Sequence, residues 1–208
     1  AKAVRGKEFV DNRNERGFNE LRGYFIDEGG FLSSMDQPAE VSVLEQGPLF
    51  VKVAVKGKIG KYSFTQTIRL TQGEPRIDMS VKLDWIGSPR IGEPGIEFRA
   101  DNPRKSFYDE RYKLLVYLPI QIANQQIYKD APFDVCESRL ENTFFNRWDS
   151  IKHNIILNWV DVASKDNSCG LSLFTDHTTS YAHGKDFPLA LNVQYAGKGL
   201  WVRDYLID

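Results

Sequence analysis

Residues suited to chemistry cluster late in the chain. The stretch Asp176-His177-Thr178-Thr179-Ser180-Tyr181-Ala182-His183-Gly184-Lys185-Asp186 holds two of the three histidines. Imidazole and carboxylate side chains brought together at a strand end can relay a proton or ligate a metal. Hydroxyls beside an aromatic ring suit a polyhydroxylated ligand such as a sugar. His177 and His183 fit no specific metal spacing, and Ser180, His183 and Asp186 supply the residue types of a nucleophilic triad without the GxSxG elbow that would present one. The same residues read equally as a polar hairpin loop whose hydroxyls cap their own backbone.

A second polar and aromatic stretch runs from Tyr128 to Asp149, with Asp130, Asp134, Glu137, Glu141 and Asp149 beside Phe133, Phe144, Phe145 and Trp148. Paired carboxylates that hydrolyse glycosides stand roughly 5 to 9.5 Å apart, a distance that spacing along a chain does not encode. With 28 acidic residues in 208, some such set arises by chance. Of the tryptophans, Trp85 and Trp159 lie in strand patterns and read as core, whereas Trp148 and Trp201 stay open as stacking platforms.

The elements that would position these residues are strands. Ile77, Met79, Val81, Leu83 and Trp85 alternate with Asp78, Ser80, Lys82 and Asp84, the period-2 pattern of a half-buried strand. Upstream, Val51, Val53 and Val55 alternate, Gly57-Lys58-Ile59-Gly60 turns the chain into Tyr62, Phe64, Gln66, Ile68 and Leu70, and Gly73-Glu74-Pro75 turns it again. Short connections make these an antiparallel meander. Strands are also expected at Tyr112 to Leu118, Ile155 to Val162, Leu171 to Phe174, Leu189 to Tyr195 and Leu200 to Ile207, about nine or ten in all. Phe18, Leu21 and Phe25 have helical spacing, but Gly17 and Gly23 disfavour a helix there. The 87–106 stretch, with three prolines and three glycines, reads as a surface excursion. The fold class expected is all-β, a large antiparallel β-sandwich with little helix, occupying residues 1–208 as one domain.

Composition narrows the function classes. Twenty-seven basic against 28 acidic residues give a net charge of −1, against a nucleic-acid partner held by phosphate neutralisation. No apolar run reaches the roughly 18 residues of a membrane span, and compartment stays open between cytoplasm and periplasm. Ala1 to Lys7 carries neither an apolar signal core nor an initiator Met, so the chain reads as processed or excised. Cys136 and Cys169 are too far apart for a CxxC motif and read as two separate, partly buried thiols.

The order of several segments is familiar: Glu45-Gln46-Gly47-Pro48 before a Val-rich strand; Phe64 to Leu70, then Pro75-Arg76-Ile77-Asp78 and Asp84-Trp85; Leu114 to Pro119; Tyr128-Lys129-Asp130-Ala131-Pro132-Phe133; Asn158-Trp159-Val160-Asp161; and Gly170 to Asp176. Over about residues 40 to 195 this succession resembles the C-terminal β-sandwich region of glycoside hydrolase family 38, the α-mannosidases, closest to its bacterial members. The resemblance implies a galactose-mutarotase-like sandwich packed behind an α/β catalytic domain upstream of Ala1. It places the nucleophile and the zinc ligands in that domain, so this chain holds no metal, and it makes a mannose-containing glycan the partner. The sandwich would complete the active-site wall without being catalytic alone. Asp176, His177 and Tyr181 would then face the shared cleft, His183 is a further contact candidate, and Arg147 with Trp148 would supply a rim contact. The Thr175 to Tyr181 turn and the Leu200 to Ile207 ending depart from the usual family pattern. A free-standing carbohydrate-binding module, an aldose epimerase-like sandwich using His177 or His183, and a pure scaffold are the alternatives.

Overall fold

A computed structural model describes residues 8–91, 106–139 and 151–196. Among these residues the protein is all-β, with helical structure limited to single 3₁₀ turns at Ile26–Glu28, Ser106–Tyr108 and Glu110–Tyr112. Fourteen strands form three antiparallel sheets. Strands β1 (Glu20–Phe25), β2 (Gly30–Ser33), β7 (Lys113–Leu118), β10 (Ile151–Ile156), β13 (Thr179–Gly184) and β14 (Leu189–Tyr195) make one sheet, ordered β10-β13-β14-β7-β1-β2. A second is the meander β3 (Glu40–Gln46), β4 (Phe50–Ile59), β5 (Tyr62–Thr71) and β6 (Ile77–Asp84). The third, ordered β12-β11-β8-β9, comprises β8 (Gln125–Ala131), β9 (Asp134–Glu137), β11 (Trp159–Ser164) and β12 (Gly170–Phe174).

The six-stranded sheet is one layer of the sandwich, and the two four-stranded sheets share the other. The meander closes over β1 and β7, where Leu21, Phe25, Leu114, Val116 and Leu118 meet Ile59, Tyr62 and Phe64. Phe25 stacks on Tyr62 with ring centroids 5.5 Å apart, and Trp85 meets Tyr62 edge-on at 5.1 Å. The β8–β12 sheet closes over the other half, joining Ile127, Val160 and Val162 to Ile156, Tyr181 and Leu189. A smaller cluster of Leu115, Tyr117, Ala182 and Ala190 lies on the reverse of the six-stranded sheet.

The meander follows the alternation that predicts it. Gly60, at φ 58°, and Lys61 form the two-residue turn between Ile59 and Tyr62, a conformation glycine adopts at little steric cost. At Gly57 a methyl would fall 2.7 Å from the Phe64 ring, so glycine there is a packing requirement. Trp85, expected in the core, is half-buried and packs against the edge of the core cluster, and the expected inward face of β6 is graded: Val81 and Leu83 are half-buried, but Ile77 and Met79 are exposed.

As the glycines suggest, no helix forms around Phe18: β1 begins at Glu20, and Leu21 and Phe25 share its inner face because a spacing of four is even as well as helical. Two expectations change. Ile155 to Val162 is not one strand. It divides at Leu157-Asn158 into β10 and β11, which belong to opposite layers. The 128–149 stretch begins with the end of β8 and includes β9, so its first third is sheet rather than loop. The expected strand at Leu200 to Ile207 lies outside the described residues.

Candidate functional site

The Asp176-His177 turn joins β12 to β13, and its footing is a chain of side-chain bonds. Asp130, on β8, accepts the backbone N–H groups of Leu157 at 2.9 Å and Asn158 at 2.6 Å, together with the Asn158 side-chain amide at 3.2 Å. This fixes the corner between β10 and β11. The Asn158 carbonyl then accepts the Thr175 N–H at 2.7 Å, and the single proton of the Thr175 hydroxyl is shared between the His177 carbonyl at 2.8 Å and the Asn158 carbonyl at 3.1 Å. On this base Asp176 Oδ1 lies 2.5 Å from His177 Nδ1, both side chains largely in solvent. The imidazole holds the Asp176 carboxyl below its usual range. An exposed acid and imidazole in contact can bind hydroxyl groups or pass a proton to a ligand.

Tyr181 and His183 do not join them. The expected loop over 176–186 gives way at Thr179 to strand β13, whose alternation sends both residues into the space between the sheets. Tyr181 is fully buried, and Asn154 Nδ2 donates to its hydroxyl at 3.3 Å. His183 pairs through Nε2 with Gln125 Oε1 at 2.7 Å, and its Nδ1 has no hydrogen-bond partner among the described residues. Burial lowers the His183 pKa to about 4, so the ring is neutral and Nε2 is the donor. Arg147 and Trp148 lie outside the described residues, as does Trp201.

Beside the Asp176 turn, the outer face of the β12-β11-β8-β9 sheet presents two rows. Register aligns Phe174 with Trp159, and Asp130 with Val135; the next row places Ser172 beside Asp161 and Tyr128 beside Glu137. Ser172 donates to Asp161 at 2.5 Å. Phe174 and Val135 are exposed, and Phe133, at φ 66° in the β8–β9 turn, is fully so. Trp159, expected in the core, is half-buried and alternates with the fully buried Val160 and Val162, which turns its ring outward. Aromatic faces beside carboxylate and hydroxyl groups are the components of a sugar-stacking surface.

Two other polar features escaped the sequence. Lys113 is buried on the reverse of the six-stranded sheet, where its Nζ donates to the Phe107 carbonyl at 2.6 Å, lies 2.8 Å from His153 Nδ1 and sits over the Phe107 ring. Burial lowers its pKa to about 7, against the opposing influence of Asp109 and Glu110. A cleft of about 410 Å³ opens between Ala123-Asn124 and the β11–β12 turn, lined by Ser164, Lys165, Asp166, Ser168 and Cys169. There Asp166 accepts the Ser164 hydroxyl at 2.7 Å and the Ser168 N–H at 3.1 Å, which lower its pKa to about 2. Cys136 and Cys169 are both half-buried and are not joined in a disulfide. Among the described residues no three His, Cys, Asp or Glu side chains converge as metal ligands would, and no helix is long and apolar enough to cross a membrane.

The sequence model of the glycosyl hydrolases family 38 C-terminal domain matches residues 24–192, from within β1 to within β14. No curated protein matches the chain, and no solved structure does.

Proposed function

Because this chain belongs to the glycosyl hydrolases family 38 C-terminal domain family, we propose that it is the β-sandwich module of a retaining α-mannosidase, paired in the same polypeptide with a catalytic unit that holds the nucleophile and the zinc. The observation that carries this reading is the family match across nearly the whole described sandwich. The distribution of titratable groups accords with it: the exposed Asp176 and His177 form one acid and imidazole pair, while Tyr181 and His183 are spent on packing between the sheets. The module's part is to complete the wall of the mannoside site, with Asp176 and His177 as the contacts at its edge and Tyr181 and His183 supporting the strand that follows them.

The test is hydrolysis of an aryl α-mannoside by the polypeptide with its catalytic unit and by the 208-residue chain, followed by proton NMR for anomeric configuration. Expected is hydrolysis with retention by the longer polypeptide, lost on chelation of zinc, and none by the chain alone. Asp176→Ala with His177→Ala in the longer polypeptide should raise KM several-fold with little change in kcat. Turnover by the 208-residue chain, or a longer polypeptide inactive on α-mannosides, overturns the reading.

The outer face bearing Phe174, Trp159 and Tyr128 favours one further reading, glycan binding without chemistry. It predicts Trp159 fluorescence changes on titration with mannose oligosaccharides, abolished in Phe174→Ala.

A further inference from the structure

The meander sheet has one charged face and one apolar face. In register across β3, β4, β5 and β6, one face carries the rows Glu40-Lys56-Thr65-Lys82 and Glu45-Lys52-Arg69-Asp78. The other carries Val41-Val55-Gln66-Val81, Val43-Val53-Ile68-Met79, and Gln46-Val51-Leu70-Ile77, apolar but for Gln46 and Gln66. The first face is what water selects, and the second is the composition of an interior. Yet the six-stranded sheet covers only one end of that apolar face, as far as Gln66, whose side-chain amide donates to the Asn19 carbonyl at 2.9 Å and whose Oε1 accepts the Asn19 side-chain amide at 3.0 Å, and even in that row Val41, on the outer strand β3, is 67% exposed. Beyond that pair Val43 is 59% exposed, Leu70 43%, Ile77 41% and Met79 39%. A bulge leaves Leu44 exposed beside them.

From these rows we infer that the outer half of the meander is the docking surface for the catalytic unit of the same polypeptide; the inference rests on the reading given above. The occupant follows from place and size. Among the described residues the chain first meets the sandwich at Phe9 and Val10, which bridge to Gln121 and Ile120 just past the end of β7. That end of β7 lies beside the start of β1, where Asn19 holds Gln66, so the open rows project from the side on which preceding polypeptide arrives. With strands about 4.8 Å apart and alternate residues about 7 Å apart, the two open rows span on the order of 300 Å². A separate partner needs roughly 800 Å² a side for a stable complex. A covalently linked unit escapes most of the association entropy, so a patch of this size suffices as part of its interface.

The two methionines of the chain provide the test in the unsubstituted, full-length polypeptide. Met79 lies in an open row and Met35, 60% exposed, lies elsewhere. Under dilute peroxide, docking makes Met79 oxidise at least about tenfold more slowly than Met35, because sulfoxide formation follows exposure. A photoreactive phenylalanine analogue at Leu70 should cross-link to peptides of the catalytic unit in the same molecule, while one at Thr67, on the charged face, should not. If Met79 oxidises within about twofold of Met35, or the Leu70 cross-link joins two copies of the module, the inference is overturned. Mannoside hydrolysis by the same preparation separates the two readings: an active enzyme with an unprotected Met79 overturns the docking surface alone, and an inactive one with Met79 protected overturns the mannosidase assignment alone.

Discussion

Among single residues, His183 and Lys113 both make stability rise with pH, each in its own window. The folded pKa of His183 is lowered to about 4 from an ordinary 6.5. Between those values the unfolded chain takes up a proton that the folded chain refuses, so stability is full above about pH 6.5 and falls as pH drops towards 4. Urea unfolding at pH 7 and pH 5 should differ by about 2 kcal/mol from this group, and His183→Gln should remove that part of the difference. Lys113 is lowered to about 7 from 10.5. The cost of burying its ammonium is therefore complete below pH 7 and recedes as pH rises towards 10, so stability climbs across that window; Lys113→Met should flatten the climb. Asp130 acts differently, by pairing two backbone N–H groups at a corner. Asp130→Ala leaves those donors without their acceptor and should cost about 1–3 kcal/mol, read from the urea midpoint, with Asp130→Asn costing less.

Strands were legible where their pattern was local. The alternation of Val51 to Val55, Tyr62 to Leu70 and Ile77 to Leu83 reflects a sheet with one wet face, and those strands stand where the pattern puts them. The corner at Leu157-Asn158 was not legible, because no glycine or proline marks it and the group that makes it, Asp130, lies 27 residues away. The burial of Tyr181 and His183 was hidden for the same reason: Thr-Ser-Tyr-Ala-His reads as polar until Asn154 and Gln125 are placed opposite their polar atoms. Trp159 was misread because a Trp within an apolar run says nothing about which face it takes. At Gly23, where a methyl would lie 3.1 Å from the Leu114 side chain and 3.4 Å from the Lys113 carbonyl, a residue that argued against a helix also tightens the approach of β1 to β7. Gly57→Ala is the sharper case. Its methyl would press on the Phe64 ring and should cost about 1–3 kcal/mol by overpacking, seen as a lowered Tm, whereas Gly73→Asn, at an exposed turn with φ 79° and open space around it, should change Tm little.

For the molecule as a whole, the all-β sandwich and its membership of the glycosyl hydrolases family 38 C-terminal domain family were both legible in the ordered succession of strand segments. The grouping of candidate residues was not: Asp176 and His177 share a solvent-facing turn, while Tyr181 and His183 point the other way. The same architecture gives the meander an unequal footing. It is held at one end by Tyr62, Phe64 and Trp85 and last gripped by the paired amides of Gln66 and Asn19. Past that grip it is a cantilever, and the amide pair is its fulcrum. A load applied at Leu70 and Ile77 is delivered first at Asn19, the residue before β1, and passes from β1 to its neighbour β7.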